Sequence, residues 1–224
     1  MILAIETSSV ICSACLIGLD GKILKQSVSE NENSHAEKLP VMVNDLLQQF
    51  GKENLKAVAI SKGPGSYTGL RIGTSLAKGI CFALNLPLIA VDALYGLALY
   101  IQKQHSDFTV VVPHLDARRN EVYMQIRNAA MEEIMATDAV ILTTDSFEKY
   151  ASEKVIFVGN CPLKFKEICS LNSASKFIFQ EPLSEFLAAE AIDHYQKKQF
   201  EDLAYFQPAY LKNFVAGTNN KFIL

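Results

Sequence analysis

Residues 1–29 read MILAIETSSVICSACLIGLDGKILKQSVS, and this stretch decides the fold class. Met1 to Thr7 is apolar and suits a strand, and Ser8 and Ser9 mark a polar turn. Ile11 to Leu19 makes a second strand, and Asp20-Gly21 turns the chain into a third from Lys22 to Ser29. An Asp-Gly pair between such runs signals a hairpin because both residues tolerate positive φ. The stretch is therefore a three-stranded antiparallel meander. Next, Ser34-His35-Ala36-Glu37 has the Ser-x-x-Glu form of a capping box. Behind it Leu39, Met42, Val43, Leu46, Leu47 and Phe50 recur at three- and four-residue spacing, which predicts an amphipathic helix. Pro40 would cost that helix a hydrogen bond, so the helix either kinks there or starts with Pro40 near its first position. Lys56 to Ser61 is a short buried strand and Gly69 to Leu84 a helix stopped by Asn85 and Pro87. Leu88 to Val91 is a further strand, followed by a helix from Leu94 to Gln104. The order β-β-β-α-β-α-β-α specifies a mixed sheet with helices on its faces.

The second half starts the same way about 108 residues later. Thr109 to Leu115, a turn at Arg118-Arg119-Asn120, Glu121 to Arg127, and Glu133 to Leu142 form a second meander. Helix-like Phe147 to Ser152, strand-like Val155 to Val158 and helix-like Ser184 to Lys197 follow. Sequence identity between the halves is negligible, so the repeat is one of element order. Two βββαβα halves with mixed sheets predict an α/β protein of paired ribonuclease-H-like units with a cleft between them. The boundary is expected near Ser106, giving domains 1–105 and 106–224. The tail from Leu203 reads as irregular, and the polar stretch Gly217 to Lys221 as mobile.

Half of the 224 residues are hydrophobic and 20% are charged, which excludes a disordered chain. Lys and Arg total 21 against 24 Asp and Glu, a net charge of −3 with no basic block, so charge alone provides no strong grip on nucleic acid. The apolar opening Met1 to Ile5 is interrupted by Glu6, has no basic leader and is too short for a signal peptide. No apolar run approaches the roughly 20 residues that span a bilayer, so a cytoplasmic protein is expected. The five cysteines are scattered and read as small buried hydrophobes in a reducing compartment. Cys12-x-x-Cys15 has no second pair at zinc spacing and lies in a strand-like run, so no metal site is expected there.

The loop Gly63-Pro64-Gly65-Ser66-Tyr67-Thr68-Gly69 follows a strand and opens a helix. Its Gly-x-Gly-x-x-x-Gly spacing is not the dinucleotide fingerprint, and no P-loop occurs in the chain. A tight strand-to-helix junction and an anion site at the helix N-terminus both fit it. Gly69, Gly73 and Ala77 form a small-residue stripe that packs either on the chain's own sheet or against a helix of a second subunit. Leu70, Ile72, Leu76, Ile80, Phe82 and Leu84 exceed what one buried face needs and favour a partner. On that reading Gly73→Leu blocks pairing and leaves the monomer folded. Glu6, Thr7, Ser8 and Asp116, from the two hairpin turns, could line the cleft with Gly63 and Gly65, or serve only as turn residues bonding their own backbone. His35 is expected at the surface, and Arg118 and Arg119 as a solvated hairpin tip.

Several segments together carry a family resemblance. Ile2-Leu3-Ala4-Ile5-Glu6-Thr7-Ser8-Ser9, Ser34-His35-Ala36-Glu37-Lys38-Leu39-Pro40 and the run from Gly63 to Gly73 resemble the bacterial TsaB (YeaZ) family. Leu115-Asp116-Ala117-Arg118-Arg119-Asn120-Glu121-Val122-Tyr123 and Pro208-Ala209-Tyr210-Leu211-Lys212 resemble two later segments, with Lys212 where Arg is usual. The resemblance implies an actin-like ATPase (ASKHA) fold, with Glu6 at the place where ASKHA kinases keep an Asp. It implies a role in forming N6-threonylcarbamoyladenosine in tRNA as the non-catalytic partner that the paralogous transferase TsaD requires, alongside TsaC and the ATPase TsaE. The paralogue holds a metal with His-x-x-x-His; Ala93 and Leu97 occupy those positions here, so neither metal nor transferase activity is expected. The family pairs through its two N-terminal helices, in the TsaD heterodimer and in homodimers alike. Mapped here, that surface comprises Leu39, Met42, Val43, Leu46, Gly69, Gly73, Leu76, Ala77 and Ile80. ATP or ADP is implied only at the interface between partners, and tRNA through the complex. The rival expectation is an enzyme, either an ASKHA-type ATPase or kinase or a homologue of M22-like peptidases, although no peptidase motif is present.

Overall fold

The computed structural model describes residues 1–29 and 34–212. The opening meander forms β1 (Ile2–Glu6), β2 (Ser13–Ile17) and β3 (Ile23–Val28), with Ile2 opposite Ile17 and Glu6 opposite Ser13. Two parallel strands, β4 (Ala57–Ser61) and β5 (Leu88–Val91), extend the other edge, so the first sheet runs β3-β2-β1-β4-β5. β1, β2, β4 and β5 are buried along their whole length, which explains their continuous apolar runs, whereas the edge strand β3 is largely exposed.

The second sheet repeats this topology. β6 (Val110–Asp116), β7 (Glu121–Asn128) and β8 (Glu133–Ile141) form its meander, and β9 (Val155–Gly159) and β10 (Lys176–Phe179) add in parallel. The order is β10-β9-β6-β7-β8. The central strand pairs antiparallel on one side and parallel on the other in both halves, as the element order predicted.

The helices do not stay with their own halves. α1 (His35–Phe50) and α2 (Tyr67–Leu84) cover one face of the first sheet, where Leu39, Val43, Leu46, Ala77 and Cys81 pack on Leu3, Ile5, Val58 and Ile60. The opposite face, with Ile2, Ala4, Ile89 and Val91, is closed by Leu187, Ala188 and Ala191, at the start of α5 (Ala188–Gln196). In exchange, Ala93, Leu94, Leu97 and Ile101 of α3 (Ala93–Gln104) pack on Val111, Leu115, Ile156 and Val158 of the second sheet. The other face of that sheet is filled by Phe147, Tyr150 and, from α4 (Pro162–Ile168), Phe165. α3, which precedes the second sheet in the chain, thus packs on it, and α5, which follows that sheet, packs on the first.

Several local expectations change. Ser34 makes no side-chain cap bond, and its carbonyl instead accepts from the amides of Glu37 and Lys38. Pro40 neither starts nor breaks α1: it lies inside the helix, which continues for ten more residues to Phe50. Phe147 to Ser152 yields only a 3-10 turn, Glu148–Tyr150, and Ser184 to Lys197 begins with another, Ser184–Leu187, before α5. α4 and β10 escaped the sequence reading because seven and four residues are too few to display a period. The tail is irregular but anchored. Glu201 bridges to Leu88, Phe206 is buried in the first core, and the Ala209 amide donates to the Lys62 carbonyl. Gly217 to Lys221 lies outside the described residues. Among the described residues no helix is long and apolar enough to cross a membrane.

Candidate functional site

The two strand-to-turn junctions of the first lobe come together. Glu6, Thr7 and Ser8 end β1, and the glycine loop leaves the adjacent parallel strand β4. The Ser66 amide donates to the Ser8 carbonyl at 2.7 Å, and the Gly69 amide donates to the Ser66 hydroxyl at 3.2 Å. A Cβ on Gly65 would stand 2.1 Å from the Ser8 carbonyl oxygen, one on Gly69 2.2 Å from that of Thr7, and one on Gly73 2.4 Å from Thr7 Oγ1. The glycines are therefore required by close approach of the helix start to the end of β1. The Ser66 amide is spent on this contact, and the Gly69 amide on the Ser66 side chain that caps the helix.

Glu6 is completely buried, and the Ser8 amide donates to its Oε1 at 2.6 Å. Burial pushes its carboxyl above the usual range, against the lowering effect of hydrogen bonds from Ser8, Ser61 and Thr7. Glu6 Oε2, Thr7 Oγ1, Ser8 Oγ and Thr74 Oγ1 are buried here without a protein hydrogen-bond partner. Asp116 is not part of this group. It lies exposed at the end of β6, where its amide donates to Asn160 Oδ1, its carboxylate accepts from the Arg118 amide, and Lys164 pairs with it. Of the residues expected to line a nucleotide cleft, Glu6, Thr7, Ser8, Gly63 and Gly65 lie at this junction of the first lobe, and Asp116 lies in a hairpin of the other lobe.

The helical face also divides. Leu39, Val43, Leu46, Gly69, Gly73 and Ala77 are buried in the chain's own first core, and only Met42, Leu76 and Ile80 are partly open. The small-residue stripe serves internal packing, which overturns the expectation that Gly73→Leu would spare the monomer. Val41 of α1 is 57% and Phe82 of α2 83% exposed, apolar positions that periodicity could not separate from the core. His35 is likewise corrected. It is buried, with Nε2 3.1 Å from the Ser9 carbonyl, and burial lowers its pKa. Ala93 and Leu97 lie fully within the apolar core between α3 and the second sheet, and neither offers a donor atom. Among the described residues no group of three or more His, Cys, Asp and Glu side chains is placed to hold a metal ion.

Sequence reasoning missed a polar network between the lobes. Asp92 Oδ1 accepts from the amides of Leu94 and Tyr95 and from Gln125 Nε2, and Oδ2 accepts from the Thr137 hydroxyl. The Asp92 amide donates to Glu190 Oε2. An Asp between a strand and a helix is a recognisable cap signal, but its link to Gln125, Thr137 and Glu190 exists only in three dimensions.

Two mixed five-stranded sheets of matching topology, with a helix exchanged in each direction, define an α/β protein of the actin-like ATPase (ASKHA) class. The family model for TsaD, tRNA N6-adenosine threonylcarbamoyltransferase, matches residues 22–219. The tRNA threonylcarbamoyladenosine biosynthesis protein TsaB of Bacillus subtilis is 32% identical over 166 residues, covering 71% of this chain and 70% of that one. Its counterpart in Buchnera aphidicola subsp. Baizongia pistaciae is 31% identical over 209 residues, 88% and 92% of the two chains. A solved Pseudomonas aeruginosa protein described as similar to peptidase YeaZ superposes with a TM-score of 0.81 at 25% identity, over 94% of this chain and 99% of that one. The chain belongs to the TsaB (YeaZ) family of tRNA threonylcarbamoyladenosine biosynthesis proteins.

Proposed function

We propose that this chain is a non-catalytic subunit that binds and activates a TsaD-type transferase during formation of N6-threonylcarbamoyladenosine in tRNA. The observation that carries this reading is the burial of Ala93 and Leu97, at 1% and 0% exposure, where the transferase has its metal-holding histidines. A metal would need imidazole or equivalent donors, and aliphatic side chains packed against Val111, Leu115 and Ile156 leave neither atoms nor room for it. The exposed Val41 on α1 and Phe82 on α2 support the partner role, and it is through these helices that we expect the transferase, or a second copy of this chain, to pair. On this reading the ATPase TsaE joins the working complex, tRNA reaches this subunit through that complex, and ATP or ADP is held at the interface between partners.

The test is threonylcarbamoylation of tRNA by TsaC, TsaD and TsaE from the same source, with and without this chain. Product that depends on the chain, and is not formed when the chain replaces TsaD, is the expected result. Full activity without it would remove the role, and turnover with it in place of TsaD would make it a transferase.

A further inference from the structure

The two exchanged helices meet around Asp92 and Glu190. Asp92 caps α3, accepting from the Leu94 and Tyr95 amides at 2.8 and 3.0 Å, from Gln125 of β7 at 3.3 Å and from Thr137 of β8 at 3.4 Å. Its amide donates to Glu190 Oε2 of α5 at 3.4 Å. The Glu190 side chain is only 13% exposed. One aspartate thus touches the head of the first lobe's exchanged helix, the second lobe's sheet, and the helix that the second lobe lends back.

The charged groups around Glu190 come from each of these directions. Asp92 lies at the β5–α3 junction, Lys62 in the loop after β4, and Arg127 on β7. On its own helix His194 Nε2 is 3.7 Å from Glu190 Oε1. The β1 and β5 side chains in the packed face beside α5 are apolar: Ile2, Ala4, Ile89 and Val91. Arg127 is already engaged by Gln125, the Met131 carbonyl and Glu133, and its guanidinium lies over the Tyr95 ring.

We propose that Asp92 and Glu190 form a proton-operated latch between the lobes: neutral Glu190 seats α5 against the head of α3, and ionised Glu190 sets a second negative charge beside Asp92 and loosens that joint. The Asp92 carboxylate accepts from four donors. Among the described residues Glu190 is met by the Asp92 amide and by His194 on its own helix. Burial and then the Asp92 charge push Glu190 up to about 7, which places the switch near neutrality. The latch acts on the exchanged helices while the two sheets keep their own pairing, so loosening changes how the lobes are held without unfolding either.

The experiment uses the full chain. Carbon-13 NMR titration of glutamate carboxyls, sequentially assigned in the wild type, reads Glu190 without any variant, and it is expected to titrate near neutrality. Amide hydrogen exchange at pH 6 and pH 8, corrected for its intrinsic pH dependence, reads the joint. Exchange at residues 94–96 and 188–196 should rise about tenfold in the wild type, by the equivalence of one pKa unit to a factor of ten. It should stay level in Glu190→Gln and rise as in the wild type in His194→Gln, with β7 and β8 unchanged throughout. A Glu190 that titrates in the ordinary carboxylate range would overturn the latch. So would the same rise in Glu190→Gln, or a rise abolished by His194→Gln.

Discussion

Gly65 shows how tightly the end of β1 and the start of α2 are fitted. Its φ of +153° and the Ser8 carbonyl 2.1 Å from where a Cβ would stand exclude any other residue without backbone movement. Gly65→Ala is expected to destabilise the chain by about 3 kcal/mol in urea unfolding. Gly73→Leu, which would press on Thr7 and Ile60, should lose folding and pairing together. His114 supplies a second residue-scale prediction. It is fully buried, its Nδ1 lies 3.1 Å from the Val112 carbonyl, and its ring packs on Phe165. Burial, with a smaller contribution from Lys164, lowers its pKa to about 3. Between that value and the unfolded value of 6.5 the unfolded chain binds a proton that the folded chain does not. This contribution is therefore present above pH 6.5 and lost as pH falls, up to about 5 kcal/mol in all. His114→Met should flatten this part of the acid limb of a pH-dependent unfolding curve.

At the scale of elements, α2 has two apolar sides with different duties. Gly69, Gly73, Ala77 and Cys81 face the first sheet, while Phe82 is 83% exposed at the far end of the helix. An outward aromatic of that exposure, on a face of α2 apart from the half-buried Leu76 and Ile80, has the character of an interface anchor. Phe82→Asp is expected to weaken association with the transferase, and of the chain with itself, by at least about tenfold, roughly 1.4 kcal/mol. Sedimentation would read the pairing and circular dichroism the fold. Unchanged association would place the interface elsewhere. The periodicity announced α1 and α2 clearly, while the interface mapped from the family resemblance included Leu39, Val43 and Leu46, which are buried in the chain's own core; an apolar residue at helical spacing carries no sign of which sheet or subunit covers it.

At the scale of the molecule, the exchange of α3 and α5 makes the two lobes one cooperative structure. A fragment of residues 1–105 would keep the first sheet but leave Ile2, Ala4, Ile89 and Val91 without Leu187, Ala188 and Ala191, and α3 without Val111 and Ile156. Neither 1–105 nor 106–224 should give a dispersed amide NMR spectrum alone, and mixing them should restore one. Independent folding of either fragment would show that the exchanged contacts add little. The tail adds to the same effect. Phe206 enters the first core, Tyr210 lies 4.8 Å from the Tyr67 ring, and Lys212 reaches the Ala117 carbonyl and Glu121 of the second lobe.

The sequence by itself determined both meanders, the strands β4, β5 and β9, the helices α1 to α3 and the family. Each of these rests on neighbours along the chain: the alternation of runs and turns in residues 1–29, the three- and four-residue spacing after Ser34, and the motif around the glycine loop. Only the tertiary structure decided which apolar face is core and which is open, that His35 is buried against Ser9, that the loop glycines answer to Thr7 and Ser8, and that Asp92 meets Glu190. Those facts join residues far apart in the chain. Burial, close approach and like-charge proximity depend on which surfaces fold together, and no local pattern encodes them.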